Sequence, residues 1–149
     1  VVPSDINCLS VLQFAVDILG VEHVIVCGHY GCGAVRAALD DRQLGLCDHW
    51  IGHIGELREA HHEALQAIEP IERRADALCE LNVAMQVRRV ASTPIARKAW
   101  AEGRPLAIHG WIYALGDGLV RDLGCSITGD GDYDTLPHLD FVPSQLRQP

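Results

Sequence analysis

Apolar positions at helical spacing (Ile6, Leu9, Leu12, Val16, Leu19) follow Ser4 and Asp5, either of which can cap a helix, and Gly20 stops the run. The pattern then changes. Val21 to Cys27 is nearly continuous in apolar character and rich in β-branched residues, which predicts a parallel strand covered on both faces. After a glycine-rich turn, Ala34 to Leu39 reads as a short helix. Asp48 to about Leu65 and Ile71 to about Val90 are helical in composition, with Pro70 placed to start the second segment. Thr93-Pro94 resembles a cap followed by a first-turn proline, so Ile95 to Glu102 is predicted helical, with Gly103 as its stop. Leu106 to Leu115 is a second strand and Leu119 to Leu123 a short third one. From Gly129 onward the chain is polar and rich in Gly, Asp and Pro, which predicts an irregular or mobile tail.

These elements imply an α/β domain with a mostly parallel sheet flanked by helices. No repeat, low-complexity tract or composition break divides residues 1–149, so one domain is expected. Two clear strands and a weak third make a thin sheet for so many helices. The opening Val1-Val2-Pro3-Ser4-Asp5 reads as an internal starting point, and the expectation is that strands N-terminal to Val1 complete the sheet, with any targeting signal lying beyond the sequence in hand.

Composition narrows the partners. An apolar fraction of 48% with 21% charged residues is ordinary for a globular chain, and the net charge of -8 without a basic stripe argues against nucleic acid and anionic membranes. No apolar run approaches membrane-spanning length. Six cysteines in 149 residues are too few for a disulfide scaffold and suit a reducing compartment, so a cytoplasmic location is expected.

The chemistry concentrates in Cys27-Gly28-His29-Tyr30-Gly31-Cys32-Gly33, between the end of a predicted strand and the start of a helix, where open α/β sheets place their sites. His29 and Cys32 offer an imidazole and a thiol, the donors zinc prefers, and Gly28, Gly31 and Gly33 give the turn its backbone freedom. That is half of a metal site. Cys27 reads as small packing material at a strand end rather than as a third ligand, and its spacing from Cys32 is not that of a redox pair. Cys8, Cys47, Cys79 and Cys125 read as packing or surface thiols, and His61 and His62 as solvated. His49 and His53 can share a helix face but lack a third donor. His109 and Trp111 are expected to pack or hydrogen-bond within their strand.

Four separated segments carry a resemblance: Ser4-Asp5-Ile6-Asn7-Cys8-Leu9-Ser10, the His29 turn, Leu78-Cys79-Glu80-Leu81-Asn82-Val83, and Ile108-His109-Gly110-Trp111-Ile112-Tyr113. In order and spacing they resemble the β-class carbonic anhydrases of bacterial type, from about Pro3 to about Leu123. The resemblance implies a zinc lyase that interconverts CO2 and bicarbonate, built as a homodimer or homotetramer, with His29 and Cys32 as metal ligands. It also implies a further cysteine and an Asp-Arg pair from a Cys-x-Asp-x-Arg segment. These 149 residues contain no such segment: Asp40-Asp41-Arg42 has the Asp-x-Arg spacing, but Ala38 stands at the cysteine position. The catalytic Asp-Arg pair is therefore expected N-terminal to this chain, and the chain alone is expected to be impaired. Tyr113 matches a tyrosine that binds bicarbonate away from the zinc in similar bacterial members, against the simpler reading of a core tyrosine. Two other readings stand beside the lyase: hydrolysis of carbon disulfide or carbonyl sulfide on the same scaffold, and a non-catalytic assembly module in which His29 and Cys32 bind nothing.

Overall fold

The computed structural model describes residues 5–135. Helix α1 (Ile6–Gln13) is capped by Asp5, whose carboxylate accepts hydrogen bonds from the Asn7 and Cys8 N–H groups at 3.0 and 3.3 Å. It runs into a π-helical turn, Phe14–Ile18. Strand β1 (His23–His29) ends two residues later than the apolar run suggests, so His29 closes the strand rather than sitting in the turn. Helices α2 (Gly33–Leu39), α3 (Cys47–Ala60), α4 (His62–Gln66), α5 (Ile71–Ala91) and α6 (Pro94–Ala101) then form one long crossover. Strand β2 (Ala107–Ala114) lies parallel to β1, and β3 (Leu119–Asp122) pairs antiparallel with β2. Among the described residues the sheet is thus small and mixed, in the order β1-β2-β3.

Helix α5 is the centre of the domain. Most of its length is buried on all sides, including Ala77, Leu78, Val83, Val87 and Ala91, as expected of a helix that other elements enclose. It packs on β1 and β2 with one side and against α2, α3, α4 and α6 with others. The sheet's α5-facing positions, Val24, Val26 and Gly28 on β1 and Ile108, Gly110 and Ile112 on β2, alternate with positions on the opposite face. That opposite face corrects the expectation of a strand covered on both sides: within the described residues Ile25 is 46% exposed and His23, Cys27 and His29 are exposed with it. Composition registers how apolar a strand is, not which side receives its cover. Cys27 is corrected for the same reason. It is an exposed thiol on the open face, not packing material at the strand end.

Thr93 caps α6, its hydroxyl accepting from the Ala96 N–H and donating to the Val90 carbonyl, with Pro94 in the first turn. The region from Gly129 is not irregular throughout: it contains α7 (Asp130–Thr135), whose Asp132 reaches back to accept from the Thr128 N–H at 2.8 Å and also from its hydroxyl. The rest of the expected tail lies outside the described residues.

Arg104, just before β2, reaches back to the first helical segment. Its guanidinium donates to the Val16 carbonyl and to Asp17 at 2.8 Å each, and Lys98 approaches the same carboxylate at 3.3 Å. The Arg104 hydrogen bond leads in holding the Asp17 carboxyl below its ordinary value of 3.8, with Lys98 adding to it and burial opposing. A carboxyl depressed on folding stabilises the native state above the unfolded value and loses that contribution as pH falls through the folded one. Asp17→Asn should therefore lower the urea midpoint at neutral pH, with the gap to wild type closing in acid below 3.8. A gap of constant size from neutral to strongly acid pH would contradict the assignment.

Candidate metal centre

The site is assembled from the end of β1, the turn after it and the first turn of α2. Gly31 makes the reversal with φ at +69°, a conformation glycine adopts without steric cost. Gly33 carries no such demand: it opens α2 outside the positive-φ region, with open space where a Cβ would lie. Cys32 is the N-cap of α2, half-buried, and its side chain makes no capping hydrogen bond. Its sulfur is not spent on the helix.

His29 is exposed, and its Nδ1 lies 2.9 Å from the Tyr30 carbonyl oxygen. A carbonyl only accepts, so in the neutral ring Nδ1 carries the hydrogen and Nε2 keeps the lone pair. This arrangement, a ligand histidine whose other nitrogen donates to the backbone, is the usual one at metal sites. Both donors suit zinc in type. They are two, however, and among the described residues no group of three or more His, Cys, Asp or Glu side chains could hold a metal ion. The residues present fit part of a zinc site.

Helix α5 underlies the turn with a single stripe. Asp76 takes a hydrogen bond from the Gly31 backbone, Cys79 meets the Cys32 backbone, Glu80 accepts the Tyr30 hydroxyl at 2.6 Å, and Val83 sits against Gly28. The spacing 76, 79, 80, 83 is one face of a helix. Burial is the main cause that raises the Asp76 carboxyl above its usual range, with Glu80 as the leading charge. Burial also pushes the Cys79 thiol up to about 12, which keeps it an unreactive packing group. Glu80 and Asp76 were not singled out from sequence. The available signal was an acid inside the run Ala77-Leu78-Cys79-Glu80-Leu81, where an unpaired charge has no place to go.

Tyr113 stands on β2 in register with His29, and its carbonyl accepts the Tyr30 N–H at 3.0 Å. His109 and Trp111 share its sheet face. His109 bridges His23 at 3.0 Å and the Ser126 hydroxyl at 2.9 Å, as expected of a strand histidine that hydrogen-bonds locally. His49 is exposed and His53 half-buried on α3, away from the His29 turn in the element order. His61 is not simply solvated: it is half-buried at the break between α3 and α4, and burial lowers its pKa.

A carbonic anhydrase family model matches residues 1–120. The carbonic anhydrase of Emericella nidulans is 39% identical over 130 residues, covering 87% of this chain and 57% of that protein. The Pseudomonas aeruginosa carbonic anhydrase is 35% identical over 120 residues, covering 75% and 51%. Among solved structures, a Coccomyxa β-carbonic anhydrase in complex with acetazolamide superposes with a TM-score of 0.83 at 39% identity, covering 93% of this chain and 63% of the other. A tetrameric β-carbonic anhydrase of Sordaria macrospora gives 0.81 at 36%, covering 86% and 65%. The chain spans about half the length of the curated relatives it matches.

Proposed function

The chain belongs to the β-carbonic anhydrase family, and from that premise we propose that the protein containing it interconverts CO2 and bicarbonate at a zinc ion. His29 and Cys32 would hold the ion through Nε2 and Sγ. Zinc, when bound, acidifies a coordinated water so that a nucleophile for CO2 is available near neutral pH. The observation that best supports this reading is the His29–Tyr30 hydrogen bond, which leaves an imidazole lone pair three residues before a sulfur that caps nothing. Tyr113, which matches the tyrosine that binds bicarbonate away from the zinc in similar bacterial members, is the residue we assign to a second bicarbonate position; it stands on β2 in register with His29. The further thiolate and the Asp-Arg pair would come from polypeptide other than these 149 residues, which contain no Cys-x-Asp-x-Arg.

We also assign it a homo-oligomeric state. Ile6, Val11, Phe14, Ile18 and Leu19 are 54% to 70% exposed along the first helix and its π turn, more apolar surface than one element usually leaves to water. The Sordaria relative is tetrameric. All six cysteines are free, as suits the cytoplasm, and no helix among the described residues is long and apolar enough to cross a membrane.

Metal analysis and CO2-hydration kinetics on the complete protein test the proposal. One tightly held zinc per chain with fast hydration is the expected result, whereas a folded, metal-free protein would leave an assembly module. Turnover of carbon disulfide or carbonyl sulfide without CO2 hydration would replace the substrate. The 149-residue chain by itself should retain zinc poorly and hydrate CO2 negligibly, and a normal rate from it would overturn the ligand count.

A further inference from the structure

The weak point of the site is a peptide, not a side chain. His29 is oriented by the Tyr30 carbonyl, and that carbonyl belongs to the peptide unit joining Tyr30 to Gly31. Gly31 resists rotation of this unit less than any other residue would. A carbonyl that turned away would release the imidazole to either tautomer and to other rotamers. The structure holds this unit directly through the Gly31 N–H, bound by Asp76, and holds Tyr30 on either side of it: the Tyr30 N–H, part of the preceding peptide, donates to the Tyr113 carbonyl at 3.0 Å, and the Tyr30 hydroxyl donates to Glu80 at 2.6 Å. Glu80 is fully buried in the middle of α5, the most enclosed helix of the domain.

We propose that Tyr30 and Glu80 are positioning residues for His29: the hydroxyl–carboxylate hydrogen bond, anchored on a fully buried glutamate, holds Tyr30 in place and with it the peptide whose carbonyl keeps the His29 Nε2 lone pair facing outward as a metal donor. The inference rests on the zinc reading above and adds to it the device that prepares the ligand. Because its acceptor is fully buried, the bond holds its geometry better than one between two exposed groups would. Glu80 also ties the site to the domain core, since its helix neighbours Val83 and Val87 are 2% and 0% exposed.

Two substitutions in the complete protein test this. Tyr30→Phe removes the hydroxyl and nothing else, while Glu80→Gln keeps an acceptor oxygen in the same place. In the metal-free protein, imidazole nitrogen NMR should show His29 as a single Nδ1–H tautomer in wild type, a mixture in Tyr30→Phe, and a near-normal state in Glu80→Gln. Zinc affinity, measured by chelator competition, should fall about 10-fold or more in Tyr30→Phe, the scale of lost outer-shell support, and less in Glu80→Gln. An unchanged His29 spectrum in Tyr30→Phe overturns the proposal, whether or not zinc affinity falls, because a fall without it would be structural. If wild type holds no zinc, the functional reading fails while the NMR comparison still decides the role of Tyr30.

Discussion

Gly110→Ala should destabilise the domain by about 2–3 kcal/mol, in the upper part of the range for overpacked cores. A Cβ on Gly110 would lie closer than 3.0 Å to the Cys125 sulfur and 3.1 and 3.2 Å from methyls of Val87 and Val83. None of the three neighbours can yield easily, because all are buried and two belong to α5, which other helices enclose. Gly28 poses the same problem from the next strand, its missing Cβ being filled by Val83. Together the two glycines let α5 sit close to the sheet beside the turn that joins His29 to Cys32. Thermal unfolding should report a fall of roughly 5–10 °C for a chain of this size. Cys125→Ala in the same background removes the nearest obstacle, so the two changes should be non-additive by about 1 kcal/mol or more. Strict additivity, or wild-type stability in Gly110→Ala, would show that the helix does not rest on the strand at this point.

Such a contact could not be read from the chain, and the reason is general to this molecule. Signals confined to a few residues were legible: Asp5 and Thr93 as caps, Pro94 in a first turn, the strand-turn-helix order around His29, and the four segments that identified the family. What was lost depends on partners far away in sequence. The Tyr30–Glu80 bond spans 50 positions, and nothing near either residue announces the other. The apolar run of β1 correctly predicted a strand but not that Ile25 and Cys27 would face outward among the described residues. Helix α7 was missed because Asp-Gly-Asp-Tyr-Asp-Thr lacks apolar periodicity and contains a glycine; side-chain bonds between Thr128 and Asp132 hold its start instead. The two metal donors were visible, whereas the stripe of α5 that shapes their turn was visible only as one misplaced acid.

Removing either donor should separate metal binding from folding. His29→Ala and Cys32→Ser, made in the complete protein, should each weaken zinc binding by roughly 10²–10³-fold, taking about 3–4 kcal/mol as one ligand's share of the ~10–16 kcal/mol typical of four-ligand sites. CO2 hydration should fall with the metal content, because two protein ligands rarely retain the ion. The fold should not follow. His29 is exposed and Cys32 only half-buried, and neither belongs to the fully buried core. Cys32→Ser makes the sharper test. Position 32 is the N-cap of α2, and the cysteine makes no capping hydrogen bond there. Serine is a preferred N-cap residue, so the substitution should leave the metal-free protein as stable as wild type or slightly more so while zinc binding weakens as stated above. The comparison must be made without zinc, since bound metal raises apparent stability by mass action. Dialysis against a chelator followed by metal analysis, beside melting curves of the metal-free proteins, reads both quantities. Full zinc retention with a normal hydration rate in either variant would mean that the ion is held elsewhere. A large loss of metal-free stability in Cys32→Ser would instead make position 32 a packing residue, its sulfur needed by the fold and not by the metal.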